Sequence, residues 1–177
     1  SAGSLDWRDS EKKYSYDIYS AVRSFELSEA WIDDLTRYCK KKKIDFLSSV
    51  SDVKGCDLLV NKGMKKIKLT SYTITNIPLI EHCAQKNLPI IMSTGGATLG
   101  ETEEAVNSVL KWHDNLSLLH CSIKYPTEIK DCNLGVIETL KLAFPGIPIG
   151  YSDHTMETSD APVQAVYLGA KIIEKHI

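Results

Sequence analysis

Apolar and β-branched residues gather in six short runs along the chain: Ile44–Val50 (IDFLSSV), Lys66–Ser71 (KIKLTS), Leu88–Thr94 (LPIIMST), Leu116–Cys121 (LSLLHC), Ile147–Tyr151 (IPIGY) and Lys171–Ile177 (KIIEKHI). Each has the length and residue types of a buried strand, and their starts fall roughly 20 to 30 residues apart. Between them lie segments of helical periodicity, such as TLGETEEAVNSVLKWH and NLGVIETLKLAF. This beat predicts repeated βα units. A further helix is predicted over ELSEAWIDDLTRYCKKKK, ahead of the first strand, with Trp31, Leu35 and Tyr38 on one face and the lysines at its C-terminal end. The first 24 or so residues, carrying Trp7, Tyr14, Tyr16 and Tyr19, read as an irregular, partly helical connection.

Consecutive βα units build either an open doubly wound sheet or a closed barrel. Polar residues distinguish the two. Ser48-Ser49, Ser71, Ser93-Thr94, His120, Ser152-Asp153-His154 and Glu174-Lys175-His176 all fall at or near the C-terminal ends of their strands. A barrel gathers those ends at one mouth, whereas an open sheet uses mainly the ends beside its switch point. The expected fold is therefore α/β, a partial TIM (β/α)8 barrel with about six of its eight units present. Residues 1–177 are expected to form one incomplete barrel, its missing strands on the N-terminal side.

Strand alternation then assigns directions. Ile67 and Leu69 would face the helix layer, which turns Lys66 and Lys68 toward the barrel axis. An inward lysine is costly unless an anion or carboxylate meets it. In the last run, Ile172, Glu174 and His176 share one face and Lys175 takes the other.

Composition narrows the function classes. The chain has 177 residues, 43% hydrophobic and 25% charged, with formal charge −2, which fits a globular protein without the basic field that holds nucleic acid. Lys40–Lys43 reads as the solvated end of a helix. No apolar run reaches the roughly 20 residues that span a bilayer, and the polar start SAGSLDWRDSEKKYS is unlike a signal peptide. Five cysteines without a C-x-x-C pair suggest neither a disulfide framework nor a zinc knuckle, and read as reduced core thiols in a cytoplasmic protein.

Candidate chemistry sits at the strand ends. In STGGATLGETEEA, Thr98 and Glu101 match a capping box, so a helix starts beside Ser93, Thr94 and two glycines, where a phosphate or carboxylate can be received. His154 and His176 end neighbouring strands and can share one ion, leaving positions open for water and substrate oxygens; the alternative is two hydrogen-bonded rim histidines. His82 and His113 read as ordinary helical surface residues. His120 is either a hydrogen-bonded core residue or part of the site. Tyr125-Pro126 follows a strand, where the proline stiffens the turn carrying the phenol.

The ordered set KIKLTSYTITNIPLI, IIMSTGGATLGETEEAV, LLHCSIKYPTEIKDCNLGVI, IPIGYSDHT and LGAKIIEKHI resembles the sialic acid synthase family, meaning N-acetylneuraminate synthase and its legionaminate, pseudaminate and spore-coat polysaccharide relatives. The resemblance runs from about Phe25 to Ile177. It implies a (β/α)8 barrel followed by a small antifreeze-like domain, in a domain-swapped homodimer. It implies condensation of phosphoenolpyruvate with an N-acetylated hexosamine such as N-acetylmannosamine, giving a nonulosonic acid and phosphate, with a divalent metal, Mn or Mg. His154 and His176 match the family's metal ligands, and Lys68, Ser71, Ser93 and Ser152 its phosphoenolpyruvate-binding positions. Glu174 matches an acid near metal and acceptor, and Tyr125 an acceptor-side aromatic. Lys68, Glu174 and His154 are the expected catalytic groups; Thr73 and Asp153 complete the expected substrate contacts.

The chain also departs from the family pattern. Tyr72-Thr73 stands where Gly-Glu or Gly-Asp is usual, Ile123 where Ser or Asn is usual, and Ser-Val-Ser-Asp replaces Thr-Pro-Phe-Asp. Two other readings stay open: an aldolase using Lys68 as Schiff-base nucleophile, and a non-catalytic relative with a degenerate acceptor site.

Overall fold

The computed structural model describes residues 4–9, 12–24, 26–156 and 159–176. Phe25 and Ile177, the bounds of the family-like region, lie outside them. The chain divides into two compact units, Ser1–Ile44 and Asp45–Ile177.

In the first unit, strands β1 (Ser4–Asp9) and β2 (Lys12–Asp17) pair antiparallel, with Leu5 opposite Tyr16 and Trp7 opposite Tyr14. Helix α1 (Ile18–Ser24) follows. The helical part of the connection expected there is α1, while the paired strands correct its irregular part. Leu5 and Trp7, and then Tyr14 and Tyr16, alternate with polar residues at period two, which is the signature of a strand. Helix α2 (Glu29–Lys42) starts on the Ser28 cap and ends in three lysines and the left-handed Lys43, as the charge pattern requires. The face bearing Trp31, Leu35 and Tyr38 is exposed, and Ile32 is the buried position of this helix.

The second unit is a parallel six-stranded sheet of β3 (Ser49–Val50), β4 (Ile67–Leu69), β5 (Ile90–Ser93), β6 (Leu116–Cys121), β7 (Ile149–Asp153) and β8 (Ile173–Lys175). Sheet order equals chain order, β3 to β8, with no switch point. That is the topology of a barrel arc, and six curled parallel strands make this a partial barrel rather than a doubly wound sheet. Helices α3 (Val53–Asn61), α4 (Ile77–Ala84), α5 (Leu99–Leu110), α6 (Val136–Ala143) and α7 (Asp160–Tyr167) alternate with the strands. Local chemistry starts three of them. Asp52 accepts from Gly55 N at 2.7 Å, Asn76 caps α4, and Thr98 with Glu101 forms the expected capping box on α5.

Alternation divides the sheet into two faces. Ile67, Leu69, Ile90, Met92, Leu116, Leu118, Ile149 and Tyr151 are almost wholly buried. The other face carries Lys68, Ser93, Cys121, Ser152 and Glu174 (all five line one cavity), and the last three are register partners on β6, β7 and β8. Gly150 belongs to this face too. A Cβ there would stand 2.5 Å from the Ile172 carbonyl oxygen and 2.6 Å from Leu119 Cδ2, so only glycine fits.

Candidate active site at the strand C-terminal ends

The site begins with Lys68. The residue is 4% exposed, and Nζ donates to Ser93 Oγ at 2.8 Å and to the Leu69 carbonyl at 3.0 Å. Glu174 Oε2 lies 3.5 Å away, and its other oxygen accepts from Ser152 Oγ at 2.6 Å. The chain Ser93, Lys68, Glu174, Ser152 therefore crosses from β5 and β4 to β8 and β7. Burial pushes the Lys68 ammonium below the usual lysine value, and the Glu174 carboxylate opposes that push. Lys66, expected to share this direction, precedes β4 and pairs with Asp45 at 2.6 Å, its side chain 43% exposed. Being outside the strand, it escapes the alternation.

These groups floor a cavity of about 540 Å³ that also includes Ser71, Tyr72, Gly95, Ile123, Tyr125 and His154. Ser71 Oγ accepts from Gly95 N at 3.0 Å, so this amide, expected to be open to an anion, instead orients the serine. Ser71 also meets Cys121 Sγ at 3.0 Å. A Cβ on Gly95 would stand 2.6 Å from that sulfur, so the glycine keeps the floor open. Cys121 is a buried core thiol, as expected, and also reaches the cavity wall; its odd parity at the end of β6, shared with Leu119, is the signal for that second role.

At the rim, the His154 and His176 rings lie 5.6 Å apart between centroids, and Tyr125 stacks on His154 at 3.8 Å with its hydroxyl 2.6 Å from Nε2. The Tyr125-Pro126 peptide is cis. Burial, with neighbouring His176, lowers the pKa of His154 and so favours the neutral imidazole, the form that coordinates metal. His154 Nδ1 is buried without a hydrogen-bond partner. Two adjacent imidazoles, one held toward its neutral form by burial against the opposing pull of the Ser122 backbone, fit the donor chemistry of a divalent transition metal.

Two expected substrate contacts lie elsewhere. Asp153 is fully buried on the opposite face of β7, bonded to Lys175 Nζ at 2.7 Å and to Thr155 N and Oγ1 at 3.0 Å each. Parity alone accounts for this, since Ser152 faces the cavity. Thr73 is 3% exposed and donates to the Thr70 carbonyl at 2.8 Å within a short 3₁₀ turn over Ser71–Thr73, which leaves Tyr72 rather than Thr73 at the cavity. His120 resolves to a buried residue whose Nε2 donates to the Cys132 carbonyl at 2.7 Å.

Comparison with known proteins shows where this architecture recurs. The spore coat polysaccharide biosynthesis protein SpsE of Bacillus subtilis is 41% identical over 160 residues, covering 90% of this chain and 43% of that protein. Its crystal structure matches with a TM-score of 0.84 over 91% of this chain and 45% of that one. The N,N'-diacetyllegionaminic acid synthase of Legionella pneumophila is 39% identical, covering 89% of this chain and 45% of that protein. The N-acetylneuraminic acid synthetase of Leptospira borgpetersenii, solved in complex with citrate, matches with a TM-score of 0.85 at 38% identity, over 89% of this chain and 54% of that one. The chain thus spans about half the length of the curated relatives it matches. The NeuB family model covers residues 2–177, and the chain belongs to that family.

Proposed function

We propose that the protein to which this chain belongs condenses phosphoenolpyruvate with an N-acetylated hexosamine, N-acetylmannosamine or a related sugar, to give a nonulosonic acid and phosphate. The observation that carries this reading is the buried Lys68 ammonium, ringed by Ser93, Ser152 and Ser71 at the floor of one cavity. A cation with hydroxyl donors on both sides suits a ligand with carboxylate and phosphate groups. The names of the relatives, synthases of sialic, legionaminic and pseudaminic acids, support the product class.

In this reading Lys68, Ser71, Ser93 and Ser152 hold the enol phosphate. Glu174, with one oxygen on Ser152 and the other 3.5 Å from Lys68, is the group that holds or accepts a proton there. His154 and His176 hold Mn or Mg, which when bound supplies Lewis-acid polarisation of the sugar aldehyde. Tyr125 covers the acceptor side, and Tyr72 and Ile123 give the mouth apolar walls. Asp153 and Thr73 shape the ends of their strands from outside the cavity. The setting is cytoplasmic, which free cysteines suit, and the assembly a homodimer.

The test is phosphate release by the full-length protein given phosphoenolpyruvate, Mn and N-acetylmannosamine. Release that needs all three, or that appears with another N-acetylated hexosamine, is expected; none with any of a panel of such sugars would overturn the proposal. The lowered pKa of Lys68 also favours a second reading, Schiff-base aldolase chemistry. Borohydride trapping of pyruvate on Lys68 separates the two, because the condensation forms no imine.

A further inference from the structure

Outside the cavity, the α3–α4 pair brings together four metal-binding side chains. Each helix contributes two consecutive residues, Cys56-Asp57 from α3 and His82-Cys83 from α4. Donor atoms of Cys56, Asp57 and His82 all lie within 4.8 Å of one another. Cys83 Sγ stands 3.5 Å from Cys56 Sγ, and His82 Nε2 stands 2.8 Å from Asp57 Oδ1. None of these four residues belongs to the Lys68 cavity.

We propose that Cys56, Asp57, His82 and Cys83 form a binding site for a thiophilic divalent cation of the zinc class. A tetrahedral ion with Zn–S near 2.3 Å and Zn–N or Zn–O near 2.0–2.1 Å keeps its donors roughly 3.3 to 3.8 Å apart. The sulfur pair already has that spacing, the Asp57–His82 pair needs to open slightly, and Cys83 Sγ, which lies outside the set of donors within 4.8 Å of one another, has to turn toward Asp57 and His82. Two sulfurs, an imidazole and a carboxylate match zinc and its neighbours and mismatch Mg or Ca, which take oxygen donors. The site has an entrance: Cys56 and Cys83 are fully buried, while the Asp57 and His82 side chains are 42% and 26% exposed.

Charge also balances. Lys86 Nζ now holds Asp57 Oδ1 at 2.5 Å. Binding deprotonates both thiols and releases two protons, so two thiolates and a carboxylate meet a dication, and Lys86 neutralises the remaining negative charge from outside the ligand set. The cation would clip α3 to α4, a role separate from that of the imidazole pair at the barrel mouth.

The test is a cobalt(II) titration of the reduced, chelator-treated full-length protein. A thiolate-to-cobalt charge-transfer band saturating at one equivalent is expected, weakened in Cys56→Ser, lost when Cys56→Ser is combined with Cys83→Ser, and retained in His154→Ala. The partly exposed His82→Gln should weaken cobalt binding by about 100-fold or more, and it stands in if Cys56→Ser fails to fold. Absence of any thiolate band, a band that survives replacement of both cysteines, or unchanged affinity in His82→Gln would overturn the site.

Discussion

Lys68 is a buried cation whose retention costs stability, because burial disfavours its charge and its carboxylate partner Glu174 is 44% exposed. Lys68→Met is expected to weaken phosphoenolpyruvate binding by about 10- to 100-fold, the loss of one charge-assisted contact of roughly 1.5–3 kcal/mol, with the thermal midpoint held or raised. Titration calorimetry paired with thermal melting reads both. His120 makes the opposite kind of prediction. Burial lowers its pKa against the pull of the Cys132 carbonyl, whereas in the unfolded chain a histidine protonates near pH 6.5. The unfolded state then takes up a proton that the folded state resists. Stability is fully present above about pH 6.5 and falls as the pH drops through that value. Urea midpoints should hold above about pH 6.5 and decline as the pH falls below it, and His120→Asn should flatten the decline. The inward direction of Lys68 was legible because strand parity fixes it. The outward direction of Asp153 was equally legible, since Ser152 and Asp153 cannot share a face, but the run of polar residues obscured the parity.

Among the elements, β7 and β8 are tied outside the cavity by the Asp153–Lys175 pair. Burial alone would raise the Asp153 carboxyl, yet Lys175 and two Thr155 donors outweigh it and hold it below the usual range. Since His154 and His176 directly follow these two residues, the pair fixes the strand ends that carry both imidazoles. Asp153→Asn is expected to cost about 3–5 kcal/mol, because it leaves the largely buried Lys175 ammonium without its counter-ion. Denaturant unfolding measures that directly. All six parallel strands were legible as short apolar runs, and β6 matches its run end to end. The amino-terminal ribbon was not, because its period-two signal rests on widely spaced aromatics among charges rather than on a compact run. The Trp31, Leu35 and Tyr38 stripe marked a helix correctly but not its environment. Periodicity shows that side chains share a face, and what covers that face depends on the rest of the fold.

For the whole molecule, consecutive sheet order is the decisive fact, because it delivers the C-terminal ends of β4 to β8 to one mouth. Lys68, Ser93, Ser152, Glu174 and His154 then meet although they lie far apart in sequence, an arrangement that spacing alone did not fix but the barrel did. The α3–α4 cluster was illegible for the converse reason. Cys56 and Cys83 have no metal-like spacing in sequence, and only the packing of two helices brings their sulfurs within 3.5 Å. The most direct test of the proposed site is anomalous scattering at the manganese edge from crystals of the full-length protein grown with Mn and phosphoenolpyruvate. The expected result is a manganese peak coordinated by His154 and His176, with the enol phosphate bound at Lys68 Nζ. Manganese bound away from both imidazoles, or phosphoenolpyruvate ordered away from Lys68, would contradict it.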